Sequence, residues 1–418
     1  MVTLRDRLGR LRAAGEIKTG KSTRRMVDEI CMRPLFPGEE QVQQTLYGTC
    51  YFREIAFPAT YIHGSGPLAE LLPCRGSDLV LPAGDPGLAA FVPAEALFVD
   101  IETTGLSGGT GTLVILIGMC WYREGKFFVR QYFLTDPARE KAMLIHAGEM
   151  LERFSGLVTF NGRTFDLPLL RTRQILAGLP QAAPEHHLDL LFCARRLWKG
   201  RLTSCSLKTL EQEVLELWRT DDIPGAEIPG IYFNYLRRGE TERLRAVFEH
   251  NVQDLLSMVR LLAVVAQAVA GSPPHPADHF ALGRLYAGQG AWEKAIESYR
   301  KAAACGSLQV AANALLHLSL LYKRRGRWPE AAGIWAQMAR AGWGGPFPFL
   351  ELAKYYEHRE KNYRAALAMT EYLLYMQSRP GQASGQLHPA ALLCRRERLR
   401  RKAAGSFSPC RSVIDEEE

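Results

Sequence analysis

Along residues 96–270 the apolar positions change period several times, and each change marks an element. Ala96-Leu97-Phe98-Val99 is an unbroken apolar run of the kind carried by a buried strand. "TLVILIGMCWY" and "KFFVRQYFL" follow, rich in β-branched and aromatic residues, on either side of "REG", a hairpin-turn signal. With residues 97–102 they predict three consecutive strands. A helical pattern covers about 137–154, and a short strand, "LVTF", spans 157–160. A helix begins near Asp166, and "HLDL" at 187–190 reads as a fifth strand before "LFCARRLWK". A long helical pattern then runs from about Thr241 to Val269. The order βββ-α-β-α-β-α predicts an α/β unit, a mixed sheet flanked by helices.

The flanks differ. Residues 1–45 are basic and helix-prone, with Leu4, Leu8 and Leu11 on one helical stripe, and 46–95 hold short strand-like pieces broken by Gly and Pro. We read 1–95 as an accessory region. After "GSPPHP" the pattern becomes repetitive and all-α. Trp292, Trp328 and Tyr363 stand 36 and 35 residues apart, each followed by a small residue (Ala295, Ala331, Ala365). That period resembles tetratricopeptide repeats, about three over 277–378, in which each helical hairpin buries its apolar face by stacking on the next. Residues 379–418 hold a basic run, "CRRERLRRK", read as a solvated helix, and an acidic, disordered "DEEE" tail.

Composition adds limits. With 418 residues, more than one domain is expected. The formal charge of +8 suits a nucleic-acid partner without requiring one. Nine cysteines, odd in number and without a CxxC pair, argue for reduced thiols and against a disulfide framework or zinc knuckle. The N-terminus lacks a signal-peptide pattern, and no apolar run approaches the eighteen or so residues of a membrane span. The expectation is a soluble, cytoplasmic protein without a membrane partner.

Three acidic sites break the apolar pattern. Asp100 and Glu102 lie two apart on a strand, so they share a face, while Val99 and Ile101 point the other way. Two adjacent carboxylates at a buried strand end repel each other, and a divalent cation removes the difficulty. Solvation at an exposed strand end would also remove it. Asp166 sits where a helix starts, with Pro168 in its first turn; a capping role accounts for it when taken alone. On the long helix, Val247, Asn251, Asp254, Met258 and Leu261 form one stripe whose centre is polar. An aspartate among Leu, Met and Val demands a partner, and His250 projects toward the same side one turn earlier.

"FVDIETTGL", "TFNGRTFDLPLL" and "HNVQDLLS" resemble the three exonuclease motifs of the DEDD superfamily, which has a ribonuclease H-like fold and includes proofreading subunits of bacterial replicative polymerases. With "DIPGAEIPGIYFNYL" and the trailing repeats, the whole chain is most similar to YprB-type predicted exonucleases. The resemblance implies that Asp100, Glu102, Asp166 and Asp254 hold two Mg2+ or Mn2+ ions and that His250 is the general base. It places Thr103, Thr104 and Gly105 near the scissile nucleotide through backbone N–H groups, and Asn161 and Asn251 at the substrate. Asp189 is either an outer acid behind the ligands or a helix cap. Arg195, Arg196, Lys199 and Arg201 form a basic cluster suited to phosphate or to solvent. The implied activity is 3′–5′ exonucleolytic hydrolysis of single-stranded DNA or RNA, with the repeats recruiting a protein partner. The alternative is a weakly active nucleic-acid-binding scaffold that works through the repeats. One departure stands out. Superfamily members with histidine place it five residues before the last acid, whereas His250 precedes Asp254 by four. That shift rotates it by about 100° around the helix.

Overall fold

In the computed structural model, residues 36, 39–105, 109–181, 184–304, 307–378 and 388–405 are described. The amphipathic N-terminal helix expected from Leu4, Leu8 and Leu11, and the acidic tail, lie outside the described residues. The chain divides into two units, Met1–Pro274 and His275–Glu418.

The first unit is built on a seven-stranded sheet. Its strands are β1 (Glu40–Thr45), β2 (Gly48–Pro58), β5 (Leu97–Thr103), β6 (Val114–Arg123), β7 (Lys126–Phe133), β8 (Gly156–Thr159) and β9 (His186–Asp189). A two-residue ribbon, β3 (Ile62–His63) with β4 (Gly66–Pro67), stands apart. The order is β1-β2-β7-β6-β5-β8-β9, with β5, β8 and β9 parallel and the remaining pairs antiparallel. The β6–β7 turn closes on Glu124-Gly125, both at positive φ (50° and 81°), as a two-residue turn matching strand twist requires. β6 lies at the centre, and its run Val114–Cys120 is buried along its length.

β1 and β2 extend this sheet. β2 pairs with β7 from Tyr51↔Phe133 to Pro58↔Lys126, and so covers an edge that β7 would otherwise leave open. The region expected to be accessory thus supplies two strands to the main sheet.

The helices are α1 (Gly76–Ala83), α2 (Glu140–Leu151), α3 (Asp166–Leu176), α4 (Leu190–Trp198), α5 (Leu207–Glu213), α6 (Ile228–Arg238) and α7 (Glu242–Val269). Leu97, Val99 and Ile101 bury into one core with α2 and α3. The opposite face of β5 and β6 is covered by α7. By length and composition α7 could cross a membrane, which a search for unbroken apolar runs overlooks because its polar residues interrupt them. Its most apolar stretch is 78% buried inside the protein, as befits a core helix.

The second unit stacks helical pairs: α8 (Asp278–Gly288) with α9 (Trp292–Ala304), α10 (Leu308–Arg324) with α11 (Trp328–Ala341), and α12 (Phe347–Tyr355) with α13 (Tyr363–Gln377); α14 (Pro389–Gly405) packs on α13. Each aromatic anchor opens the second helix of its pair. Ala295, Ala331 and Ala366 are fully buried, so the third small residue is Ala366, one position beyond the expected Ala365. The three alanines each follow their anchor by three residues and share a helical face.

The basic run is largely committed to internal pairs. Glu357, on a π-helical turn after α12 (Tyr356–Glu360), accepts from Arg398 Nε and Nη2 (both 2.9 Å) and from Lys402 Nζ (3.1 Å), with Arg395 at 3.3 Å. Arg400 pairs with Glu371. Burial opposes ionisation of Glu357, but these hydrogen bonds and the charges of Arg398 and Arg395 outweigh it and pull its pKa to about 2. A carboxyl depressed in the folded state stabilises it fully above its ordinary value of 4.5 and ceases to as pH falls toward 2. Unfolding followed by circular dichroism from pH 6 to pH 2 is expected to show this loss in the wild type. Glu357→Gln is expected to start less stable at pH 6 and to show a flatter profile. Parallel profiles would remove Glu357 as the cause.

Candidate active site

Three distant segments deliver the acids to one place. Asp100 and Glu102 leave β5 on the face opposite its apolar residues, toward α7. Opposite Asp100 in the ladder is Gly118, and a Cβ there would fall 2.1 Å from Asn251 Oδ1. The missing side chain is the space that Asn251 fills. Asn251 Nδ2 donates to Asp100 Oδ2 (2.8 Å), while its Oδ1 accepts from Gln131 Nε2 (2.8 Å), which also reaches Phe248 O. Asn251 is fully buried, with both ends of its amide engaged. It therefore sits behind the acids and not at the substrate face where it was expected, because the α7 stripe turns it toward the sheet.

Asp166 opens α3, where its own backbone amide and that of Ile101 favour its charged form. The preceding turn is set by Asn161, at φ 66°. Asp189 holds that turn, accepting from Asn161 N (2.8 Å) and Arg163 N (3.1 Å). It also caps α4 through Leu191 N (3.1 Å), so it is at once a cap and the tether of the turn that carries Asp166. Asn161 is exposed, with Oδ1 accepting from Thr164 Oγ1 (2.8 Å).

Asp254 lies on α7, its Oδ1 accepting from Arg219 Nη2. His250 Nε2 stands 3.8 Å from Glu102 Oε1 and 3.7 Å from Asp254 Oδ2. The acids feel one another. Burial first, then the charges of Asp254, Glu102 and Asp166, push Asp100 well above the carboxylate range. Glu102 rises for the same reasons, with Arg219 opposing. Asp166 is raised to about 7, chiefly by burial, with Asp189 and Asp254 adding to it and the backbone amides resisting.

Such a set of oxygen donors, buried and mutually repelling, suits a hard divalent cation. Among the described residues no three His, Cys, Asp or Glu side chains are drawn together tightly enough to hold an ion as they stand, and Asp254 has one oxygen on Arg219.

The turn after β5 departs from expectation. Thr104 N donates to Leu113 O (3.0 Å), and Thr104 Oγ1 accepts from Leu113 N (2.9 Å). Thr103 Oγ1 donates to Gly105 O (2.8 Å). The Thr104 N–H expected at a nucleotide is therefore spent on the β5–β6 connection, where a bulge after Glu102 shifts the register. Residues 106–108 lie outside the described set.

A cavity of about 500 Å³ opens on Asp100, Asp166 and Asp254. Phe160, Phe165 and Arg195 line it as well. The expected basic cluster does not act as one patch. Arg195 faces this cavity, whereas Arg196 lines another with Asp85 and Arg163 and packs under Gly84, where a Cβ would meet it at 1.8 Å.

Three residues escaped the sequence reading: Glu211, Arg219 and Asp222. Arg219 Nη2 also bonds Glu211 Oε1, which accepts from Ser257 Oγ (2.5 Å). Asp222 Oδ1 is 2.6 Å from His250 Nδ1. The only signal was the demand of Asp254 for a partner, and that partner is 35 residues upstream on an irregular loop.

A ribonuclease H superfamily model matches residues 97–266, and a tetratricopeptide repeat model matches 279–307. The Bacillus subtilis (strain 168) protein described as "Uncharacterized protein YprB" is 31% identical over 338 residues, 78% of this chain and 80% of that protein. Among solved structures, the family B DNA polymerase of the hyperthermophilic archaeon Pyrobaculum calidifontis aligns with a TM-score of 0.32 at 12% identity, over 68% of this chain and 36% of the polymerase. The chain thus spans about a third of that polymerase's length.

Proposed function

The chain belongs to the YprB family within the ribonuclease H superfamily, and from that membership we propose that it is a metal-dependent 3′–5′ exonuclease on single-stranded nucleic acid. The ribonuclease H-like domain by itself supports a nucleic-acid hydrolase. The finer reading is supported above all by the meeting of Asp100, Glu102, Asp166 and Asp254 in one cleft, with His250 Nε2 facing two of them.

These four carboxylates would hold two Mg2+ or Mn2+ ions, which supply Lewis-acid stabilisation of charge on the phosphate when bound. His250 Nε2 takes a proton from water as its oxygen attacks the terminal phosphorus. The bond from phosphorus to the 3′ oxygen breaks, and that oxygen takes a proton from solvent. The products are a nucleoside 5′-monophosphate and a strand one residue shorter with a 3′-hydroxyl. Asn251, fixed by Gln131, keeps the Asp100 carboxylate aimed at the cleft. The repeats would engage a protein partner. We place the activity in the cytoplasm, a reading supported by the free cysteines among the described residues, Cys50 and Cys193 included.

The test uses 5′- and 3′-labelled single-stranded DNA and RNA with manganese or EDTA. A ladder shortening from the 3′ end, absent in EDTA, is expected. Internal cuts would sink the exonuclease assignment, and shortening from the 5′ end would sink its 3′–5′ direction. Arg195, exposed in the cleft, is expected to contact a phosphate. With binding measured in EDTA, Arg195→Ala should reduce the slope of log K against log salt by about 0.7, the value for one contact on a single strand. Arg195→Lys should keep the slope, and an unchanged slope in the alanine variant would remove Arg195 from the interface.

A further inference from the structure

The loop between α5 and α6 brings two charged side chains to the same turn of α7. Residues 214–224 have no regular structure apart from short turns, and two of them, Glu216 (φ 53°) and Asp221 (φ 59°), are non-glycine residues in the left-handed region. Such residues are strained and persist where their surroundings over-determine them. They flank Arg219, which reaches Asp254, and Asp221 immediately precedes Asp222, which reaches His250.

We propose that Asp222 is a positioning residue for His250: it fixes which ring nitrogen carries the proton and points the other at the acids. This rests on the exonuclease reading above. The Asp222 Oδ1 to His250 Nδ1 distance is 2.6 Å. An ionised carboxylate only accepts, so Nδ1 carries the hydrogen. Arg219 Nη1 also approaches Nδ1, but at 3.5 Å, the outer limit of a bond. In the neutral form that a general base requires, the ring presents a bare Nε2 toward Glu102 and Asp254, at 3.8 and 3.7 Å. Those distances are too long for a direct hydrogen bond, so the lone pair stays free.

The arrangement also accounts for the unusual spacing. Four residues before Asp254, His250 leaves α7 about 100° away from where a five-residue gap would put it. On that side its Nδ1 needs an acceptor that α7 itself does not supply. Asp222 arrives from outside the helix and holds it there. A carboxylate behind an imidazole keeps the productive tautomer in unrelated hydrolases, so the device has a general physical basis.

The test needs a readout independent of turnover. The full chain carries ten histidines; with their rings labelled with 15N, and in EDTA, multiple-bond 15N–1H correlation reports each tautomer. His250→Asn identifies the signal. Wild-type His250 is expected in the Nδ1–H form. Asp222→Ala should move it to the Nε2–H form preferred by a free ring. With manganese and labelled DNA, kcat should fall by roughly 100-fold, the lower range for a general base, with little change in KM. Asp222→Glu should restore part of kcat, and the isosteric Asp222→Asn covers the case of an unfolded alanine variant. An unchanged tautomer in both variants overturns the proposal. A switched tautomer with undiminished kcat overturns the positioning role while leaving the exonuclease standing. A wild type in the Nδ1–H form that cleaves nothing overturns the exonuclease reading, and the base role with it, while the pairing remains.

Discussion

Asp100→Asn is expected to abolish manganese-dependent cleavage and, in EDTA, to make the protein more stable. The fall in rate should reach about 10³-fold, or ~4 kcal/mol of barrier, because one of the four carboxylates proposed as ligands loses the charge that would hold a divalent cation. Stability moves the other way because Asp100 is raised by burial and by Asp254, Glu102 and Asp166. An amide of the same shape removes that repulsion. It still accepts from Asn251 Nδ2 at the position of Oδ2. A melting temperature higher by about 2–4 °C is expected, as ~1 kcal/mol gives in a domain of this size. Cleavage rates and thermal melts in EDTA on one preparation test both. A variant that cleaves like the wild type sinks the metal-site assignment. One that loses activity and melts lower points to lost folding instead.

Arg219→Met should produce the largest loss of stability. Its guanidinium joins Glu211 and Asp254, and Glu211 is almost completely buried. Burial pushes the Glu211 carboxyl up, opposed by the hydrogen bond and charge of Arg219 and by the bond from Ser257. Removing one partner of a buried pair costs about 3–5 kcal/mol because a carboxylate is left uncompensated. A fall of about 10 °C in melting temperature follows at 2–4 °C per kcal/mol. Glu211→Gln in the same chain should recover part of the loss, with a coupling above about 1 kcal/mol in a double-mutant cycle. Additive losses, or an Arg219→Met melt equal to wild type, would show that the pair contributes nothing.

Both experiments probe parts of one cleft that were unequally legible. Asp100 and Glu102 could be paired from their spacing because strand residues two apart share a face. Asp254 could be singled out because it interrupts an apolar helical stripe. Asn251 belongs to the same stripe, yet its place behind Asp100 depends on Gly118 and Gln131, from two other strands. Arg219 and Asp222 lie on a loop without periodicity, so nothing local distinguishes them from solvated residues. The basic run near the C-terminus was legible as a helix with exposed cations, but not that three of them would close on Glu357.

By itself the sequence did not determine the helices Leu207–Glu213 and Ile228–Arg238, but it determined the strand order from Leu97 on and the long last helix of that unit, the Glu124-Gly125 hairpin, the repeat period and the three acid-bearing motifs. These are properties of consecutive residues, where side-chain period and turn chemistry act within a few positions. Tertiary structure alone decided that β1 and β2 join the nuclease sheet, that Asn251 braces Asp100, and that Arg219 and Asp222 meet Asp254 and His250. Alternation marks a strand without naming its neighbour. A buried charge demands a partner, but only packing decides which distant residue comes close enough to answer it.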